Sequence, residues 1–465
     1  MRLKRHFAPN LISAVTLWVL TALSALPGRA QTFTTLVNFS YTVGGGPLGA
    51  PVQGVDGALY GTTVRGGSGN GTIYRMSPHR ALSVIHSFTD LDGALAGGLI
   101  LVPQGALYGV ASLNGVCCAD GGTVFRITPA GTFTRLHSFT GADGAYPNGT
   151  LVLGFSGSLY GVTSLGGDFN YGTTFAITPD GAFTSLDSFS NANGSLPDAG
   201  LIQASNGLLY GPTNSGGFFG DGVIYSITST GGLTDIASFQ ISDGSRIYGE
   251  LLQASDGNFY GAACAGGGGS SNGTVFRVNR EGVFKVLHNF DGNDGSCPEA
   301  ALVEGTDGNF YGTTSGDGTD IHGTVFQITP AGALTTLHAF NLTDGGNIGG
   351  LMQATDGNFY GVAFEGGYYG YGTLFQISMG LGPFIRTVPY FGRTGTSITI
   401  LGNNLAGTSS VTFNGVAAAF TVISATAIRA TAPAGATNGK VQVVTPHGTL
   451  VSNTLFEVLP RSAAP

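Results

Sequence analysis

Apolar and polar positions alternate in short runs from Thr32 to Ser378, and Asp-Gly, Gly-Gly and Pro-x-Gly turns separate the runs. A period of two between turn dipeptides predicts β-strands. The runs themselves recur. Tyr-Gly pairs begin at Tyr60, Tyr108, Tyr160, Tyr210, Tyr260, Tyr311 and Tyr360, a spacing close to 50 residues. A Gly-(Thr/Val)-x-aromatic strand follows each pair, from Gly71–Tyr74 to Gly372–Phe375. A strand ending in Phe keeps the same beat at Phe39, Phe88, Phe139, Phe189, Phe239, Phe290 and Phe340.

The sixth copy shows the whole unit: ALVEGT, Asp307-Gly308, NFYGTT, a glycine-rich loop, GTVFQITP, Ala331-Gly332 and ALTTLHAF. Asp-Gly suits the positive backbone angles of a two-residue hairpin. Each copy therefore reads as four antiparallel strands, a to d. One such sheet cannot bury both faces, so copies must pack on each other as propeller blades do. The last copy stops after strand c, GTLFQIS, at Ser378. Its missing strand d stands at the other end of the repeat region, in TFTTLVNF from Thr32 to Phe39. This predicts an all-β fold: a seven-bladed β-propeller over residues 31–378, closed by an N-terminal strand.

Flanking segments read differently. Residues 1–30 have a basic start (Arg2, Lys4, Arg5), an apolar stretch and a small-residue end before Gln31, the pattern of a secretory signal peptide. Residues 379–382 are a linker. Residues 383–460 carry brief strands around the Asn414-Gly415 turn, as in a small β-sandwich, and 461–465 are a tail. The stretches VPYFG (Val388 to Gly392), ITILGNN (Ile398 to Asn404), VTFNG (Val411 to Gly415) and TPHG (Thr445 to Gly448) make this segment similar to an IPT/TIG domain. That resemblance implies an immunoglobulin-like spacer or interaction module and no catalysis. Through DGNFYGTT, the Gly-Gly loops, GTVFQITP and LHSF, residues 32–378 resemble the GloVer tandem-repeat family of exported bacterial proteins. The resemblance supports the architecture and implies no established activity.

Charge narrows the partners. Loss of Arg2, Lys4, Arg5 and Arg29 with the leader takes the formal charge from −8 to −12. Nucleic acid and anionic lipid need clustered Lys and Arg, so neither is expected as partner, and no membrane insertion is expected after cleavage. The expectation is a secreted or cell-surface binder of polysaccharide or protein.

Features present in every copy hold the fold, so candidates are sought where copies differ. Short a–b and c–d turns share one face; the b–c loops and d–a crossovers share the other and vary, as binding loops do. Three b–c loops are aromatic: Phe169 and Tyr171, Phe218 and Phe219, and Tyr368, Tyr369 and Tyr371. Flat rings there suggest a sugar or peptide platform, against the alternative that they pack between blades. Cys264 and Cys297 fall on the loop face of neighbouring blades and are candidates for a disulfide. Adjacent Cys117 and Cys118 are candidates for a vicinal bridge, an interchain bond or free thiols, and no metal site is expected. His86, His137, His288 and His338 share one position of strand d and read as structural, while His322 with Asp317 and Asp320 reads as a polar loop. The turns Asp90 to Gly93 and Asp291 to Gly295 resemble calcium loops without their full set of ligands, and no cofactor is expected. The alternative function is a polysaccharide lyase or glycosidase at the channel mouth, for which Glu250, Glu365 and especially Glu304, standing where other copies have Gln, are the leads.

Overall fold

The computed structural model describes residues 31–113, 121–269, 271–316 and 322–460. Among them every regular element is a strand except a 3-10 turn at Asn191–Asn193. Each repeat forms one antiparallel sheet in chain order, as in Val303–Glu304, Phe310–Thr314, Thr324–Ile328 and Leu334–Ala339. In the first repeat, two short pieces, Gly45–Pro47 and Val52–Gln53, both pair with Leu59–Arg65. Strand Thr32–Asn38 lies antiparallel to Thr373–Ser378, with a bulge between Thr35 and Val37, and is the outer strand of the last repeat's sheet. The arrangement is propeller-like: residues in or leading into the first strand of every repeat border one central cavity.

Close packing explains the Tyr-Gly pairs. The strand-c aromatics Tyr74, Phe125, Phe175, Tyr225, Phe276, Phe326 and Phe375 are fully buried. Each ring lies over the glycine of its Tyr-Gly pair. A Cβ there would come within 2.3 Å of the ring's atoms at Gly61 and within 2.7 Å at Gly109. The tyrosine fixes the neighbouring turn: Tyr260, Tyr311 and Tyr360 donate to Asp256, Asp307 and Asp356 at 2.9, 2.9 and 2.7 Å.

Two sets of contacts tie repeat to repeat. On the turn face, a strand-a side-chain oxygen accepts the N–H of the preceding repeat's a–b turn. Gln253 takes Ser205 N–H (2.9 Å), Gln353 takes Thr306 N–H (3.1 Å) and Gln53 takes Thr355 N–H (3.0 Å). Gln203 does the same with Phe155, whereas Leu101 and Leu153 occupy this position in the second and third repeats. At the periphery, strand-d histidines stack on the next outer strand: His86 on Phe133 at 4.1 Å, His137 on Phe183 and His338 on Phe33 at 3.7 Å. Their Nε2 atoms meet Asp92, Asp143 and Asp344 of the following turn at 3.2, 2.9 and 2.9 Å.

These pairs give a pH signature. Burial lowers the His86 pKa by more than Asp92 raises it, so the pair at neutral pH is a hydrogen bond to neutral imidazole. Burial raises the Asp143 pKa, but the Thr140 N–H and hydroxyl together with His137 outweigh it and leave the carboxyl below its usual range. In both cases the folded pKa lies below the unfolded one, and the unfolded chain binds more protons on the acid side. The His86 contribution is complete above about pH 6.5 and declines as pH falls toward the lowered value; that of Asp143 is complete above about pH 3.9 and is lost through its depressed value. In melting curves taken across pH, His86→Gln should flatten the first decline and Asp143→Asn the second, each leaving the other in place.

Residues beyond the linker form two four-stranded sheets around a shared core of Ile398, Ile400, Ile428, Val411, Phe413, Val441 and Val443. This unit sits on the turn face. Arg386 Nη2 donates to Gln353 O (2.7 Å), Tyr390 Oη to Gln203 O (2.7 Å), Thr399 Oγ1 to Pro103 O (2.7 Å) and Thr426 Oγ1 to Val55 O (2.9 Å). Val388 and Leu401 join the cluster containing Leu101 and Tyr60, and Phe391 packs on Phe155 at 4.7 Å. These contacts reach five different repeats, so the unit lies across the turn face.

Candidate functional site

The aromatic b–c loops share one built shape. Gly166, Gly167 and Asn170 have φ of 79, 76 and 60°; Gly216, Gly217 and Gly220 have 78, 78 and 87°; Gly366, Gly367 and Gly370 have 76, 73 and 76°. Left-handed corners, accessible to Gly and Asn, therefore bracket two tip residues. The loop closes through the N–H of Gly172, Gly222 or Gly372 onto the carbonyl of Gly166, Gly216 or Gly366. The tips point outward: Phe218 is 85% and Tyr368 82% exposed, and Phe169, Phe219 and Tyr369 are also exposed. Phe218 and Phe219 meet edge to face at 4.8 Å, as do Tyr368 and Tyr369. Tyr371 differs. It is half-buried, its ring rests on Gly45 and Tyr41, and it belongs to the packing. Tyr171 stands at the corresponding position and is 40% exposed.

Glu304 does not line the central cavity. Its carboxylate accepts the N–H of Ser255 at 2.9 Å and the Ser255 hydroxyl, the same inter-repeat bond that glutamine makes elsewhere. Its departure from the repeat is an exchange of one acceptor for another, at the turn face. A disulfide joins Cys264 to Cys297 and clasps the fifth repeat to the sixth. Cys117, Cys118, Asp317 and Asp320 lie outside the described residues. The Asp92 and Asp294 carboxylates of the acidic turns engage Thr89 and His86, and the Asp291 N–H and His288.

Sequence reasoning named Glu250 but missed the rest of a second feature. A central cavity of about 320 Å³ is bordered by residues in or leading into the inner strands. Its wall is two-sided: Leu48, Ala50, Ile348 and Phe364 from the first and last repeats, and Asn148, Thr150, Asp198, Tyr248, Glu250 and Glu299 from the third to sixth. Glu250 reaches past Gly200 to accept the Thr150 N–H at 2.8 Å; a Cβ on Gly200 would lie 2.9 Å from the same oxygen. Asp198 accepts from Asn214 at 2.9 Å. Burial raises the Glu299 pKa. The available signal was one aligned column of strand a, Leu48, Ala96, Asn148, Asp198, Tyr248, Glu299 and Ile348, which varies beside a column of Gly and Ala.

Residues 22–217, 200–423 and 301–454 match the Gloeobacter/Verrucomicrobia repeat. The chain belongs to this repeat family. No curated protein matches it. Among solved structures, this member of the family is similar to a protein described provisionally as a gluconolactonase, at 13% identity and a TM-score of 0.41 over 76% of this chain and 94% of that one. It is also similar to a protein of unknown function from Bacteroides thetaiotaomicron (12%, TM-score 0.42, 75% and 76%). A third is PorZ, a surface component of the type-IX secretion system of Porphyromonas gingivalis (14%, TM-score 0.45), where the match covers 87% of this chain and 58% of that one. No helix among the described residues is long and apolar enough to cross a membrane.

Proposed function

We propose that this is an exported binding scaffold: a closed seven-bladed β-propeller, with an immunoglobulin-like IPT/TIG domain on its turn face, holding a polysaccharide or protein at the cell surface on its b–c and d–a loops. Closure is supported by Thr32–Asn38 pairing with Thr373–Ser378, by the Gln53 bond to Thr355 and by the approach of Gly350 to Ala50. The observation that carries the function is the outward set of Phe218 and Tyr368, 85% and 82% exposed on loops of fixed geometry. Large rings held rigidly in water give contact area at low entropy cost when a partner covers them.

The test is retention of the leaderless chain on immobilised cell-surface polysaccharides and proteins. Changing Phe218 and Phe219, or Tyr368 and Tyr369, to Ala should abolish retention and move stability by no more than about 0.5 kcal/mol per exposed site. Retention unaffected by both pairs would refute the reading. A second reading, a polysaccharide-active enzyme at the channel mouth, draws on the carboxylates of the cavity. Release of oligosaccharide by the leaderless chain, lost on Glu299→Gln, would favour it.

A further inference from the structure

The central cavity has an asymmetry that the fold does not need. Asp198, Tyr248, Glu250 and Glu299 line it from the fourth, fifth and sixth repeats, whereas the first and last repeats contribute Leu48 and Ile348. At about 320 Å³ the space matches a single small molecule and is too small to enclose a folded partner or a polymer segment of any length. None of its described lining residues is Lys, Arg or His.

The carboxylates do not form a metal cage. Among the described residues one group of three His, Cys or acidic ligands is compact enough for a single ion: Cys264, Cys297 and Glu299, whose sulfurs are joined in the disulfide. Asp198, Glu250 and Glu299 are instead spread along the wall and held separately, the first by Asn214 and the second by the Thr150 N–H. Glu299 Oε1 lies 3.2 Å from Cys297 Sγ, and the cost of burying its charge is seen in its raised pKa. Carboxylates spaced along a wall that also carries hydrocarbon surface suit an extended organic cation better than a point charge.

We propose that the cavity binds a small amphipathic organic amine, its ammonium among Asp198, Glu250 and Glu299 and its hydrocarbon part against Leu48 and Ile348. The site is separate from the aromatic loops, and its occupancy does not depend on them.

Titration calorimetry on the leaderless chain, with phenethylamine, its neutral counterpart 2-phenylethanol and the anion 3-phenylpropionate, tests this. The amine should bind with one-to-one stoichiometry and roughly tenfold or more tighter than the alcohol, with no binding of the anion. Glu299→Gln, which removes charge without touching a backbone bond, should weaken the amine by a similar factor at unchanged melting temperature. Phe218→Ala and Tyr368→Ala should leave amine binding as it is, which separates this site from the loop-face reading. Equal affinity for amine and alcohol, an amine affinity unmoved by Glu299→Gln, or no amine binding at millimolar concentration would each overturn the proposal.

Discussion

Alanine in place of Gly161 is expected to lower the unfolding free energy by about 3 kcal/mol, the upper end of the usual cost of overpacking a core. The added methyl would sit 2.5 Å from Phe175 Cζ and 2.7 Å from Leu151 Cδ2. Both neighbours are buried, Phe175 completely, and neither has room to withdraw. Denaturant titration should show a lower midpoint with an unchanged slope. Shortening the ring in Gly161→Ala/Phe175→Leu should recover part of the loss, a non-additivity expected only of residues in contact. A single-mutant cost below about 0.5 kcal/mol, the scale of an inert surface change, would show that the ring does not enforce the glycine.

Deletion of residues 31–39 should have a larger effect. It leaves the outer edge of Thr373–Ser378 unpaired and removes Phe33 and Phe39. Phe33 stacks on His338 at 3.7 Å and meets Phe340 edge to face at 5.4 Å; Phe39 is fully buried and meets Tyr74 of the first repeat at 5.1 Å. Loss of the buried Phe39 alone costs about 3–5 kcal/mol, and with the half-buried Phe33 and the strand's pairing the loss rivals the stability of a marginal domain, about 5 kcal/mol. The shortened chain should lose its cooperative melt and near-ultraviolet dichroism, or associate through the bare edge. A synthetic peptide of residues 31–39 added in excess should restore the melt. A shortened chain that melts like its parent would remove the N-terminal strand from any role in joining the ends.

Most of the fold was legible because its signals are local and repeated. Alternation, Asp-Gly turns and the Tyr-Gly beat each act within one sheet, and the missing fourth strand of the last copy could be matched by its own sequence to Thr32 to Phe39. The candidate sites were less legible because they depend on direction. Phe218 and Tyr371 look alike in a list of loop aromatics, yet one projects into solvent and the other lies on Gly45, which has no side chain to exclude it. Glu304 looked chemical because it replaces Gln, but a carboxylate and an amide oxygen accept the same Ser255 N–H. Glu250 and Glu299 line one cavity only because the segments leading into strand a of successive repeats border the same space, a convergence of residues about 50 apart in the chain.

The glutamine bonds between repeats carry a last consequence. Leu101 and Leu153 cannot accept the N–H that Gln53, Gln203, Gln253, Glu304 and Gln353 accept, and beside Leu101 settle Val388 and Leu401 of the C-terminal unit. A row of near-identical repeats offers an appended unit as many equivalent seats as there are repeats. Leu101 breaks that degeneracy: it marks one seat with an apolar address. Lineages that keep the appendage should keep this leucine.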